Sequence, residues 1–566
     1  MACISVFLLH NFLILKTLNY AYFSQNWRKA NKSKTMKPPL HFSLLLLLLG
    51  MFSCTKSEKT EFSKQPNILF CIADDASFAH LGAYGCSWVN TPAFDRVAAE
   101  GILFTRAYTP NAKCAPSRSC ILTGRNPWQL EEAMNHWPFF PAKFKTYVEA
   151  LDDNGYFVGY SGKGWAPGIA KDAQGNKREL AGRPFNEIKT EPPAKAISTK
   201  DYAQNFRAFM EAKPKDEPFC FWYGGHEPHR SYEYGAGVKY GNKQLSDITD
   251  IPPFWPDNDS IRNDMLDYAF EIEYFDQHLA QMLQILEEAG ELDNTLVVVT
   301  ADNGMPFPRI KGQKYEYSNH LPLAIMWKDG IKHTARLVDD FVNFIDFAPT
   351  FLEVAGLGEA ESGMQAISGK SLTDILFAEE AGTVNEARDH ILLAKERHDI
   401  GRPNDWGYPI RGIVKDNYLY LNNFEIDRWP AGNPETGYLN CDGSPTKTVL
   451  LQRRRHPDTY HYWNRSFGKR PAEELYQIDN DPFCMNNLAE NEQLFSLKEA
   501  LKTQLFNELK AQADYRMLGQ AYLYEEIVYA DSSGQNFYEK YMKGEKVNFG
   551  WVNKTDFEII EKLTEH

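Results

Sequence analysis

Several features are scarce in this 566-residue chain, and each scarcity removes a class of protein. Its nine cysteines, at positions 3, 54, 71, 86, 114, 120, 220, 441 and 484, are scattered, odd in number and never in a Cys-x-x-Cys pair. Neither a disulfide framework nor a cysteine-rich zinc module fits that distribution. Positive charge is not in excess: 75 acidic residues outweigh 61 basic ones, for a formal net charge of −14. A general polyanion-binding surface is thereby excluded, and with no basic stripe nucleic acid is not expected as a partner. Any anion must be captured by a local group of cations or by a metal. Internal repeats and low-complexity tracts are also missing. The apolar run at residues 44–52 falls short of the roughly 20 residues that a membrane-spanning helix needs.

What is present is a folded globular protein, with 43% hydrophobic and 14% aromatic residues. Its length exceeds one ordinary core, so a large domain with a smaller one is expected. Met36-Lys37, the leucine-rich run and Ser53-Cys54 read as a lipoprotein signal. On that reading residues 1–53 are a mis-started N-terminus plus signal peptide, translation begins at Met36, and Cys54 carries the lipid. The protein is then a bacterial cell-envelope lipoprotein, periplasmic or at the surface, touching the membrane through its anchor alone. A secreted, unanchored protein is the alternative. Residues 54–65 follow as a polar tether, 66–385 as the large domain and 386–566 as a smaller one.

Short apolar runs at residues 67–73, 156–160, 219–223 and 294–300 suit buried strands of a mostly parallel sheet. Each run ends in polar groups: Asp74 and Asp75, Lys163, His226, then Asp302 and Asn303. Ligands of open α/β sheets bind at the carboxyl ends of strands, so this convergence sketches a site in one dimension. Adjacent carboxylates such as Asp74 and Asp75 repel unless a hard cation with oxygen ligands lies between them. Taken singly, each of these residues could be an ordinary solvated loop residue. Residues 91–101 carry an early Pro, helical spacing and a closing Gly, and so predict a helix. A long amphipathic helix puts Met265, Tyr268, Ile272, Phe275, Leu279, Met282 and Leu286 on one stripe. Beyond residue 385 come shorter strands at 410–414, 418–421 and 474–478 and a helix over 497–509, an antiparallel α+β pattern. The tail after Tyr515 shows no pattern.

The stretch Cys114-Ala115-Pro116-Ser117-Arg118-Ser119-Cys120-Ile121-Leu122-Thr123-Gly124 stands apart. Pro116 suits an opening helical turn, which puts Cys114 at the positive end of a helix dipole. A buried thiol at an ordinary helix start is the bland alternative. Cys-x-Pro-Ser-Arg followed by Leu-Thr-Gly resembles the signature of the type I sulfatases, within the alkaline phosphatase-like superfamily, and the resemblance extends from about Pro66 to Asp481-Pro482. It implies an α/β/α sandwich with a large mixed sheet, and a Cys114 oxidised to formylglycine by a maturation enzyme. It also implies one Ca²⁺ held by Asp74, Asp75, Asp302, Asn303 and the modified Cys114.

By the same resemblance the hydrated aldehyde attacks sulfur and Arg118 holds it, while Lys163 and Lys311 neutralise sulfate oxygens and His226 protonates the leaving atom. Lys311 matches the lysine of a Lys-x-x-x-Tyr-Glu pattern. The segments around Asp302-Asn303-Gly304-Met305-Pro306, His226-Glu227-Pro228-His229-Arg230 and Gly407-Tyr408-Pro409-Ile410-Arg411 look like the heparan N-sulfatase branch. A sulfated saccharide, N-sulfoglucosamine of heparan sulfate, is the substrate this implies. Two departures stand out: Gly162-Lys163-Gly164-Trp165 lacks the family's second cation after that lysine, and Tyr317-Ser318-Asn319-His320 replaces a Gly-Gly-x-Arg. His229, His320, His398 and Arg402 are the candidate substrate contacts, the last two within a basic group with Lys395, Arg397 and Arg411. Rival readings are an O-sulfatase, a two-metal phosphatase or phosphodiesterase of the same superfamily, and a non-catalytic lipoprotein that binds sulfated glycans.

Overall fold

The computed structural model describes residues 64–547 and 550–558, which belong to one compact unit. The expected leader, the Met36 start, the Cys54 attachment point and the tether up to residue 63 lie outside the described residues. In chain order the elements that matter are β1 (Asn67–Ala73), α1 (Pro92–Ala99), β2 (Ile102–Phe104), α2 (Cys114–Thr123), β3 (Phe157–Gly162) and β4 (Arg183–Pro184). They continue with α3 (Tyr202–Ala212), β5 (Phe219–Gly224), α4 (Asp259–Glu288), β6 (Thr295–Ala301), β7 (Leu323–Met326), β8 (Arg336–Val338) and α5 (Phe347–Val354). The last group is β9 (His390–Lys395), β10 (Ile410–Lys415), β11 (Tyr418–Asn423), β12 (Glu473–Gln477) and α6 (Phe495–Ala511).

The large sheet has eight strands in the order β8-β2-β7-β6-β1-β5-β3-β4. Pairing is parallel throughout except where β7 runs against both β6 and β2, so the sheet is mixed and mostly parallel. β1 is central and wholly buried, and its side chains alternate between two cores. Ile68, Phe70 and Ile72 join the core under α2 and α5, whereas Leu69, Cys71 and Ala73 join the core under α1, α3 and α4. This period of two is why an uninterrupted apolar run was required here: both faces of the strand are covered by helices. The α4 stripe from Met265 to Leu286 is buried at each of its seven expected positions.

Near the C-terminus, β9 to β12 form a four-stranded antiparallel sheet. Leu392, Ala394, Ile413 and Leu475 pack on Leu501, Leu505 and Leu509 of α6, while Ile391, Leu393 and Ile410 pack on Tyr108, Tyr315 and Phe341 of the larger part. Its two faces therefore tie a covering helix to the rest of the unit.

β3 and β5 finish in register, with Gly162 opposite Gly224, and the Lys163 N–H donates to the Gly224 carbonyl at 2.7 Å. Gly162 has φ +86°, and a Cβ there would stand 1.9 Å from the Gly224 oxygen. Only glycine permits that approach and that backbone conformation together. Gly162→Ala should lower stability by about 3 kcal/mol and displace Lys163, measured as a fall in the thermal or denaturant midpoint of the purified protein; an unchanged midpoint would contradict the packing described.

Candidate active site

The parallel pairing of β1 with β6 aligns Ala73 with Ala301, so the residues that follow each strand emerge side by side. The Asp302 N–H donates to the Ala73 carbonyl at 3.1 Å, and the Asp75 N–H donates to Asp302 Oδ1, also at 3.1 Å. Asp74, Asp75 and Asp302 are all buried, and each offers an oxygen within 4.8 Å of the others'. Asp75 adopts φ +78°, a left-handed conformation that Asp tolerates better than most residues. Three buried carboxylates at one point are unstable alone, and the structure surrounds them with cations.

Arg118 lies one turn into α2. Its Nε donates to Asp302 Oδ2 at 2.8 Å, and its Nη1 donates to the carbonyls of Lys163 at 2.7 Å and Gly164 at 2.8 Å. One planar fork thus fastens α2 to the ends of β6 and β3. Lys163 Nζ pairs with Asp74 Oδ2. Lys311 Nζ bridges Asp75 Oδ2 at 2.6 Å and Asp442 Oδ2 at 2.9 Å. Cys114, first residue of α2, places Sγ 3.4 Å from Asp74 Oδ1.

Electrostatics sort these groups by role. Burial alone would raise Asp74, but Lys163, aided by His229, Arg118 and Lys311, holds it well below the usual carboxylate range. Asp302 is pushed up to about 7 by burial and by the neighbouring Asp74 charge. Burial and the Asp74 carboxylate drive the Cys114 thiol upward, so a thiolate is disfavoured where one would have to attack. His226 is brought down to about 3 by burial and by Lys200 and Lys163, and its Nε2 lies 3.2 Å from Lys200 Nζ. It is a neutral imidazole in the protein without substrate, and an anion bound beside it works in the opposite direction.

The residues present fit a divalent cation. Asn303 donates its Nδ2 to Asp75 Oδ1 at 2.6 Å, which leaves Oδ1, a good ligand for a hard ion, buried without a partner. Carboxylates of Asp74, Asp75, Asp302 and Asp442 outnumber the fixed cations Arg118, Lys163 and Lys311 by one; a divalent ion turns that deficit into one net positive charge, which suits an anionic substrate.

A cavity of about 330 Å³ opens on this cluster, lined by Asp74, Cys114, Lys163, His226, His229 and Lys311 among the expected residues. Arg118, Asp75, Asp302 and Asn303 stand behind it. The other three expected substrate contacts require correction. His320 is stacked on Phe78 at 3.7 Å and near Tyr108 at 4.7 Å, with Nδ1 on Glu316 at 2.7 Å. His398 is fully buried with Nε2 on Asn111 Oδ1 at 2.7 Å, and Arg402 is buried on the carbonyls of Trp429 at 2.9 Å and Pro430 at 3.1 Å. None of the three lines the cavity. Their companions are internal too: Arg411 pairs with Asp514 and Glu396, and Lys395 donates to the Gly312 carbonyl at 2.7 Å. Conversely, Lys113, His136, Trp137, Asp399, Asp442 and Trp551 line the cavity without having been expected there. Lys113 immediately precedes Cys114 and was open to notice; the others come from loops with no periodicity to flag them.

Comparison with known proteins follows the same lines. The family model described as Sulfatase matches residues 66–357, more than half of the chain. An ulvan-active sulfatase of Formosa agariphila is 28% identical over 81% of this chain and 82% of its own length. The human N-sulphoglucosamine sulphohydrolase is 27% identical over 81% of this chain and 91% of its own. A solved structure described as a complex with its substrate D-glucosamine-2-N,6-O-disulfate superposes with a TM-score of 0.56 at 19% identity, covering 83% of this chain and all of that one. With the matched segment carrying Asp74, Cys114, Arg118, Lys163, Asp302 and Lys311 into one cluster at the cavity, the chain belongs to the sulfatase family and is a hydrolase of sulfate esters or sulfamates.

Proposed function

We propose that this protein removes sulfate from a sulfated glycan, with N-sulfoglucosamine of heparan sulfate as its substrate, using a formylglycine made from Cys114 and a calcium ion. The observation that carries the chemistry is the 3.4 Å approach of Cys114 Sγ to Asp74 at the joined ends of β1 and β6. Asp74, Asp75, Asp302 and Asn303 would hold the ion, all through oxygen, which is the donor set calcium prefers. Formylglycine would supply, as its hydrate, a hydroxyl nucleophile at position 114, and a calcium ion held by those residues would supply Lewis-acid chemistry there.

The chain's own residues account for the rest. Arg118, locked by three hydrogen bonds, fixes the start of α2 so that residue 114 faces the substrate. Lys163 and Lys311 stand at the cavity wall, where they meet the charge that builds on sulfate oxygens as the bond to sulfur breaks. Asp302, grouped with Asp74 and Asp75, would take a proton from the nucleophile. His226, which also lines the cavity, would give a proton to the departing oxygen or nitrogen once the bound anion has raised its proton affinity. The preference for N-sulfate draws on the human relative, matched over 91% of its length, and an O-sulfatase is the second reading because an ulvan-active enzyme is similar to the same extent. The leader sequence supports residence at the bacterial cell envelope on a lipid anchor at Cys54, after maturation by a formylglycine-generating enzyme.

Sulfate release from defined glucosamine and uronate saccharides sulfated at N, 6-O, 3-O or 2-O tests the substrate. The N-sulfated sugar should show the highest kcat/KM; release from O-sulfated sugars alone would overturn the N-sulfate reading. Cys114→Ser should fold normally and turn over negligibly, and retained turnover would contradict the nucleophile. Arg118→Lys should cost roughly 100-fold or more in kcat, because an ammonium cannot reproduce the three-way fork. Chelation should abolish turnover and calcium should restore it; activity indifferent to chelator would exclude the ion.

A further inference from the structure

Six of the cavity's lining residues are the expected ones, and another part of the lining has a different character. There His136, Trp137, Asp399 and Trp551 face the same space. Asp399 is buried, with Oδ2 2.9 Å from Lys113 Nζ and Oδ1 2.8 Å from His136 Nδ1. The carboxylate therefore fixes the proton of His136 on Nδ1, which leaves Nε2 as a lone-pair acceptor. A neutral acceptor in a lining that also holds two indoles does not suit a sulfate ion. It suits a ring with hydroxyl or N–H donors and apolar C–H faces.

The C-terminal tail holds this wall. Tyr529, Phe537, Trp137 and Trp551 pack in one apolar cluster with Ile400, the neighbour of Asp399, and Leu439. The Ala530 N–H donates to the Trp137 carbonyl at 2.9 Å, and Trp137 itself sits at φ +53°, a strained conformation for a bulky residue. Trp551 Nε1 donates to the Leu439 carbonyl at 2.9 Å, and its own carbonyl accepts from the Gly443 N–H at 2.8 Å. Asp556 pairs with the fully buried Lys447 at 3.0 Å, and Lys447 also donates to the carbonyls of Gly437 at 2.9 Å and Cys441 at 2.8 Å. The segment that carries Asp442, partner of Lys311, is thus clamped by the tail.

We infer that His136, Trp137, Asp399 and Trp551 form the sugar subsite, which receives the single saccharide ring bearing the scissile sulfate, and that the tail after Tyr515 is the element that builds it. At about 330 Å³ the cavity lies at the small end of ligand sites, in keeping with one ring rather than a threaded chain. This assignment rests on the sulfatase reading of the cavity. The experiment compares wild type, Trp551→Ala and His136→Ala for KM on glucosamine N-sulfate, or on the O-sulfated monosaccharide the wild type prefers, and for inhibition by inorganic sulfate. Thermal midpoints verify folding of each variant. KM should rise roughly tenfold or more while the sulfate inhibition constant stays within about twofold of wild type. An unchanged KM in the folded variants, or an equal rise in both constants, overturns the subsite while leaving the sulfatase reading standing. A wild type that releases sulfate from none of these sugars overturns that reading, and the subsite with it.

Discussion

The structure depends on one electrostatic problem and its solution: three carboxylates, Asp74, Asp75 and Asp302, are buried together because two adjacent parallel strands end at the same level. In a low-dielectric interior such a group is tolerable only if every charge has a partner in good geometry. Lys163, Arg118 and Lys311 supply partners from three separate segments; Arg118 and Lys311 are buried and Lys163 is half-buried. The site is thus a mutual obligation: no member can be removed without stranding another. The same arrangement groups carboxylate oxygens beside the unpartnered amide oxygen of Asn303, a donor set that suits a hard cation.

This charge network also explains why the two ends of the chain cannot be treated as independent. Lys311 follows β6 in the large sheet, yet its second carboxylate is Asp442, beyond the antiparallel strands β9 to β11. Gly312 donates to the Ala112 carbonyl at 3.1 Å, joining the Lys311 loop to the loop that presents Cys114. Lys311, the loop that presents Cys114 and the segment that carries Asp442 are therefore joined in one bonded neighbourhood.

Much of this was legible in the sequence, for identifiable reasons. Central strands covered on both faces read as near-continuous apolar runs, so β1 and β6 announced themselves and their terminal acids with them. The Pro and Gly punctuation around α1 and α2 set the boundaries of both helices. What failed was the basic group from Lys395 to Arg411. Charged residues clustered in sequence resemble a solvated surface, but here their partners are Asp514, Asn111 and backbone carbonyls, remote in the chain, and the charges turn inward. Asp442 and Trp551 were invisible for the complementary reason: they sit in irregular segments, and only tertiary packing brings them to the cavity.

A crystal structure of the matured protein grown with calcium tests the central claim most directly. One ion is expected, roughly 2.3–2.6 Å from oxygens of Asp74, Asp75, Asp302 and Asn303, with residue 114 carrying oxygen in place of sulfur beside it. An ion bound elsewhere, or an unmodified thiol in an active preparation, would contradict it.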